Sequence, residues 1–314
     1  MKISSVTIPT TIILATTASF ILAKPTSAFQ FLGKSSVDIA RQDAPKRITS
    51  FHHRNAAFNK KSSPRTVLHA KREEEIVSSG GWFDGIEINP IYLLPYIGFL
   101  GFAFYATNTE APGASQAILE QFISDPLNPG VNELFTIIFN LVGLVGIPLA
   151  CIVMPAAAGQ PFPAAPFLVA SVFAGYGAVG PYVMTRKPVT EVTPSDLGWV
   201  TKYVLENKVF NWSVVALAAS ALVTTGGLSA FWDNPQGQIQ GYIELFQQTA
   251  IVSASSVDFA ILSLTAASLI PEDLARRGIT DTNKCRAIAA STLLLPMIGA
   301  TLYCALRPPL PEEP

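Results

Sequence analysis

The chain is 314 residues long, 49% apolar and 14% charged, with a formal net charge of −1. Soluble domains carry roughly a quarter charged residues, so this chain has too little charge to cover a soluble surface, and a membrane protein is indicated. The near-zero sum joins a leader of about +8 up to Ala70 to an acidic body of about −9, which has no electrostatic claim on nucleic acid.

Met1 and Lys2 open a positive n-region, residues 6–23 supply an apolar h-region, and Thr26-Ser27-Ala28 offers small residues for cleavage. This predicts a signal peptide over 1–28, with an uncleaved anchor as the alternative. Residues 29–70 are rich in Ser, Thr, Arg and Lys and nearly free of acids, which is transit-peptide composition. Ser27-Ala28-Phe29, followed by Phe31 and the basic tail, resembles the junction of bipartite presequences in algae with secondary, red-lineage plastids. The resemblance implies that the leader is an address and that the destination is a plastid.

All three histidines, His52, His53 and His69, lie in that leader, so a processed chain has no imidazole. Histidine is the commonest metal ligand and the most frequent general base near neutral pH, which disfavours triads, His-ligated haem and facial-triad iron together. Cys151, Cys285 and Cys304 show no C-x-x-C spacing. No catalytic residue, metal site or cofactor is predicted.

A short acidic segment, 71–89, precedes the body. From Pro90 the chain alternates apolar runs with short polar or proline-marked joints, the runs lying at 90–107, 134–154, 162–184, 210–231, 251–270 and 288–306. A crossing needs about 20 apolar residues, so the prediction is an all-α, polytopic transmembrane bundle of about six spans over 90–314. Trp212 and Trp232 bracket the fourth run as interface anchors. Thr193-Pro194-Ser195-Asp196 predicts a helix start leading into an amphipathic surface helix, and 114–123 is a second such stretch.

Lys and Arg concentrate at Arg186, Lys187, Lys202 and Lys208, and again at Arg276, Arg277, Lys284 and Arg286. By the positive-inside rule both joints face the stroma. Six spans would then leave both termini on the opposite side, away from the compartment where an imported chain first arrives. No internal repeat stands out: Leu94-Pro95-Tyr96-Ile97-Gly98 and Leu295-Pro296-Met297-Ile298-Gly299 look alike but are too short to establish one.

Gly175-Tyr176-Gly177-Ala178-Val179-Gly180 matches a dinucleotide fingerprint literally, but it lies inside an apolar run, where small residues serve close helix approach. Asp258 falls near the middle of the fifth run, where a carboxylate is costly unless partnered, protonated or wet. It is read either as an ion or solute contact or as a structural acid. Asn140, in the second run, could hydrogen-bond across helices to Asp258 or to a backbone carbonyl. Arg276 and Arg277, in Pro271-Glu272-Asp273-Leu274-Ala275-Arg276-Arg277-Gly278, read as a stroma-facing helix end and as a possible contact for a partner.

Three stretches resemble a group of uncharacterised membrane proteins of cyanobacteria and chloroplasts: Asn128-Pro129-Gly130-Val131-Asn132-Glu133-Leu134-Phe135 running on to Gly143, Pro163-Ala164-Ala165-Pro166-Phe167, and Asp258-Phe259 down to Gly278. The resemblance implies a plastid membrane, thylakoid ahead of inner envelope, and brings no activity with it. Two functional expectations follow. One is a non-catalytic factor that assembles or organises a plastid membrane complex; the other is a small-solute or ion transporter using Asp258 and Asn140. The lipid bilayer is the expected environment in both.

Overall fold

The computed structural model describes residues 86–126 and 128–312. The expected signal peptide, transit peptide and most of the acidic segment lie outside the described residues. Among those described there are helices and no strands.

In chain order the helices are α1 (Pro90–Thr109), α2 (Ala114–Ser124), α3 (Glu133–Leu144), α4 (Gly146–Val153), α5 (Ala164–Thr185), α6 (Lys208–Thr224), α7 (Gly227–Asp233), α8 (Pro235–Gln248), α9 (Ala250–Arg276), α10 (Thr282–Thr292) and α11 (Ile298–Leu306). A tight turn, Met154–Ala156, prolongs α4. Side-chain caps set the starts of several. Asn89 accepts from the Ile91 amide, Asn132 from Phe135, and Asn207 from Val209, each satisfying an N–H that has no partner within its helix.

Four stretches are long and apolar enough to cross a membrane: 90–109, 133–156, 164–185 and 250–276. The helix α6 is apolar but shorter. Six straight spans are not what the chain forms, because two of the predicted runs reverse direction.

The first reversal is in α5. Gly175 has φ 52° and ψ −132°, outside the helical region. A straight helix would hold Phe167 and Tyr182 about 20 Å apart, yet their ring centroids are 5.9 Å apart. Gln160 exchanges hydrogen bonds with Lys187, 27 residues on, at 2.7 and 2.9 Å. So α5 is a hairpin of two half-length limbs that starts and ends at one end of the bundle.

The second reversal lies between α10 and α11, where Pro296 and Met297 (φ 64°) interrupt the helix. The chain leaves beside the end of α9, where Ile279 donates its amide to the Leu274 carbonyl, and returns there, where Arg307 reaches Asp273. The tip turns so sharply that a side chain on Gly299 would meet the Thr292 carbonyl at 2.2 Å.

With both reversals in place, the elements form two successive sets in the same order. The long helix α1, the short α2, the long α3–α4 and the hairpin α5 correspond to α6, α8, α9 and the hairpin α10–α11, about 120 residues later. Contacts repeat as well. The start of α1 meets the end of its hairpin through the Asn89 amide and Met184 carbonyl, and the start of α6 meets the end of the other through Lys208 Nζ and the Ala305 carbonyl. Each hairpin closes on Tyr-x-x-x-Arg-x-Pro, as Tyr182 to Pro188 and as Tyr303 to Pro309. The two five-residue stretches that look alike in sequence hold unrelated places, one in α1 and the other at the tip of the second hairpin.

The surface helix predicted from Thr193 is shorter than expected. Asp196 turns back to accept from the Thr193 amide and hydroxyl, which closes a turn, and the helical stretch that follows is a wide π-turn, with the Glu206 amide donating to the Thr201 carbonyl, that ends at Leu205. Trp199 and Tyr203 are exposed on it.

Candidate functional site

The centre of the molecule is the break in α5. Leaving the helical region at Gly175 frees the next amide from its helical partner, and the Asp258 carboxylate accepts from that Tyr176 N–H at 2.7 Å. Asp258 comes from the first half of α9 and is 5% exposed. The match is close enough that a Cβ on Gly175 would stand 1.7 Å from Asp258 Oδ2. Two costly features, an open backbone donor and a buried carboxylate, thereby satisfy each other.

The other two glycines of the sequence motif serve α1. A Cβ on Gly180 would overlap the Tyr96 ring at 2.5 Å, and Gly177 faces Phe99 at 3.7 Å. This is the close approach expected from small residues. Tyr96 and Phe99 both meet the Tyr176 ring edge-on, and the Tyr176 hydroxyl donates to the Tyr92 carbonyl at 3.0 Å. Asp258 is thus enclosed by the second limb of α5 with the aromatic face of α1 behind it.

Asn140 does not complete this site. Its amide donates to the Thr136 carbonyl one turn back in its own helix, at 2.9 Å. It is instead the counterpart of Asp258 in the earlier set of elements, in the first half of α3–α4 as Asp258 is in the first half of α9.

Arg276 and Arg277 are not surface groups. They are 2% and 6% exposed and belong to a buried ionic network at the end where both hairpins return. Arg186, at the end of α5, makes a forked pair with Glu272 at 2.5 and 2.7 Å. Arg276 bridges Glu272 and Asp273 at 2.8 and 3.1 Å and donates to the Ile152 carbonyl. Arg277 joins Asp273 at 3.0 Å to Glu206 at 2.8 Å. Arg307, at the end of α11, reaches the same two acids at 3.2 and 2.9 Å, and the Tyr303 hydroxyl donates to Asp273 at 2.7 Å. Burial alone would lower the Arg307 guanidinium, but Asp273 and the groups beside it more than offset that and hold it above its ordinary value. A partner cannot reach Arg276 or Arg277 without dismantling this network, which corrects the expectation of a stromal contact there.

Arg186, Glu272 and Asp273 stand out in sequence only as parts of charged joints, and Glu206, Tyr303 and Arg307 do not stand out at all. The paired Tyr-x-x-x-Arg-x-Pro segments were the signal that could have revealed the two hairpin ends. The reversal that brings them together depends on one glycine conformation, which an apolar run does not announce.

These features define an all-helical protein with helices able to cross a bilayer and with a hairpin folded back on a buried acid. The chain matches no protein-family model, no curated protein and no solved structure.

Proposed function

We propose that this protein is a plastid membrane transporter for protons or small cations, in which Asp258 is the ion-carrying group and the α5 hairpin is the moving part. In this reading α1, α3–α4, α6 and α9 cross the bilayer, and the two hairpins enter it and leave by the same face.

Charge supports that arrangement. Among the described residues every Lys and Arg falls at the end where the hairpins return, while the opposite joints, 110–132 and 225–249, hold Glu110, Glu120, Asp125, Asp233 and Glu244 and no cation. Four crossings place the cationic face and both ends of the described chain on the stromal side, which removes the conflict that six spans create.

The observation that carries the functional reading is the meeting of Gly175 and Asp258. Non-helical backbone at membrane depth is confined to places where protein or a water-filled cavity covers it, and discontinuous helices recur at the ion and substrate sites of transporters. A proton or cation on Asp258 weakens its hold on the Tyr176 amide, which gives the hairpin a reason to move when the site is occupied.

In proteoliposomes the wild-type protein should dissipate an imposed cation or proton gradient, and Asp258→Asn should abolish this while keeping an acceptor for the Tyr176 amide. Equal flux in the variant would remove Asp258 from the path.

A second reading, a factor that organises a plastid membrane complex, is favoured by α1. Only 11% of its apolar window is buried, and Ile91, Leu94, Ile97, Phe104 and Tyr105 face outward. Comigration with a larger complex on native gels, together with absence of flux, would favour it over transport.

A further inference from the structure

The two hairpins are built alike but filled differently. In α5 the space between the limbs is occupied by Phe167, whose ring lies against Tyr182. Counted from the start of each hairpin, its counterpart in α10 is Cys285, a much smaller side chain whose thiol donates to the Ile279 carbonyl at 3.3 Å. Beside Tyr303, the counterpart of Tyr182, a cavity of about 300 Å³ is left, lined by Leu274, Ile288, Thr292, Leu302 and Leu306 among others. An apolar cavity of about 150 Å³ already holds a benzene-sized molecule, and ligand pockets begin at about 300 Å³.

The polar groups at its wall are already engaged. Ser291 and Thr292 donate to carbonyls of their own helix, and Tyr303 and Arg307 are held by Asp273. An occupant therefore meets hydroxyls that have already given their protons and a wall that is mainly hydrocarbon, which favours an apolar occupant. Leu294 and Leu306, at opposite ends of the hairpin, are 81% and 63% exposed, so the surface around the groove is itself apolar.

We infer that the groove between α10 and α11 holds an acyl chain of a bilayer lipid beside Tyr303, where the first hairpin holds the Phe167 ring beside Tyr182. This depends on the protein lying in a bilayer and not on its transporting anything, so it stands or falls separately from the flux measurement.

The test uses full-length protein reconstituted in vesicles of phosphatidylglycerol carrying a photoactivatable group on one acyl chain, with adducts mapped by peptide mass spectrometry. Adducts should concentrate on residues 288–306. They should be lost in Ile288→Phe and in Leu302→Phe, each of which places an aromatic side chain at a residue that lines the groove, while adducts on exposed α1 persist. Labelling of 288–306 that is no stronger than that of α1, or that survives in both variants, would overturn the inference. So would variants that raise the unfolding temperature when the wild type takes no label there, since that is the behaviour of an empty packing gap.

Discussion

Gly175 and Asp258 form a pair in which removing either partner's part in the contact is costly, for different reasons. At φ 52° and ψ −132°, with a carboxylate oxygen where a Cβ would go, alanine at position 175 must both strain the backbone and displace Asp258. Gly175→Ala should cost about 3 kcal/mol or more, read as a lowered unfolding midpoint in detergent. An unchanged midpoint would mean that α5 does not fold back. Asp258→Ala leaves the Tyr176 amide buried without an acceptor and should cost about 1–3 kcal/mol, whereas Asp258→Asn keeps an acceptor and should be milder. This difference is why the asparagine variant is the informative one for flux.

At the scale of elements, two adjacent residues of α9 divide the work of holding the hairpins. Glu272 takes Arg186 from α5, and Asp273 takes Tyr303 and Arg307 from α11. Removing one acid from a buried pair leaves guanidinium groups uncompensated, at about 3–5 kcal/mol. Hydrogen exchange should therefore rise in 298–306 in Asp273→Asn and in 176–185 in Glu272→Gln. Equal loosening of both hairpins in both variants would contradict this division. The caps Asn132 and Asn207 emerge only in the structure, whereas the helices themselves were legible from apolar length and from the joints between them. Their directions were not. Phe162–Met184 and Ile288–Leu306 have the composition of spans, and composition carries no information about a reversal that one glycine, or Pro296 with Met297, introduces. Asp258 stood out because its cost is local. The ionic network did not, because its members only become neighbours once both hairpins have turned back. The repeat escaped notice for the same reason, since it lies in element order and in two seven-residue endings, while the stretches that resemble each other are not equivalent.

Both hairpins leave and rejoin one face of the bundle, and that face carries every described Lys and Arg. That arrangement sets the number of crossings, places the ionic network on one side, and brings the break in α5 to the depth of Asp258. The most direct test is labelling of single cysteines by a membrane-impermeant maleimide in sealed, oriented vesicles, with Cys151, Cys285 and Cys304 replaced by alanine. Cysteines at Pro161, Lys187, Lys284 and Pro309 should all react from one side, and cysteines at Asn128 and Gln240 only from the other. Reaction of the Pro161 and Lys187 positions from opposite sides would mean that α5 crosses the membrane straight through, and the proposed site at Asp258 would fail with it.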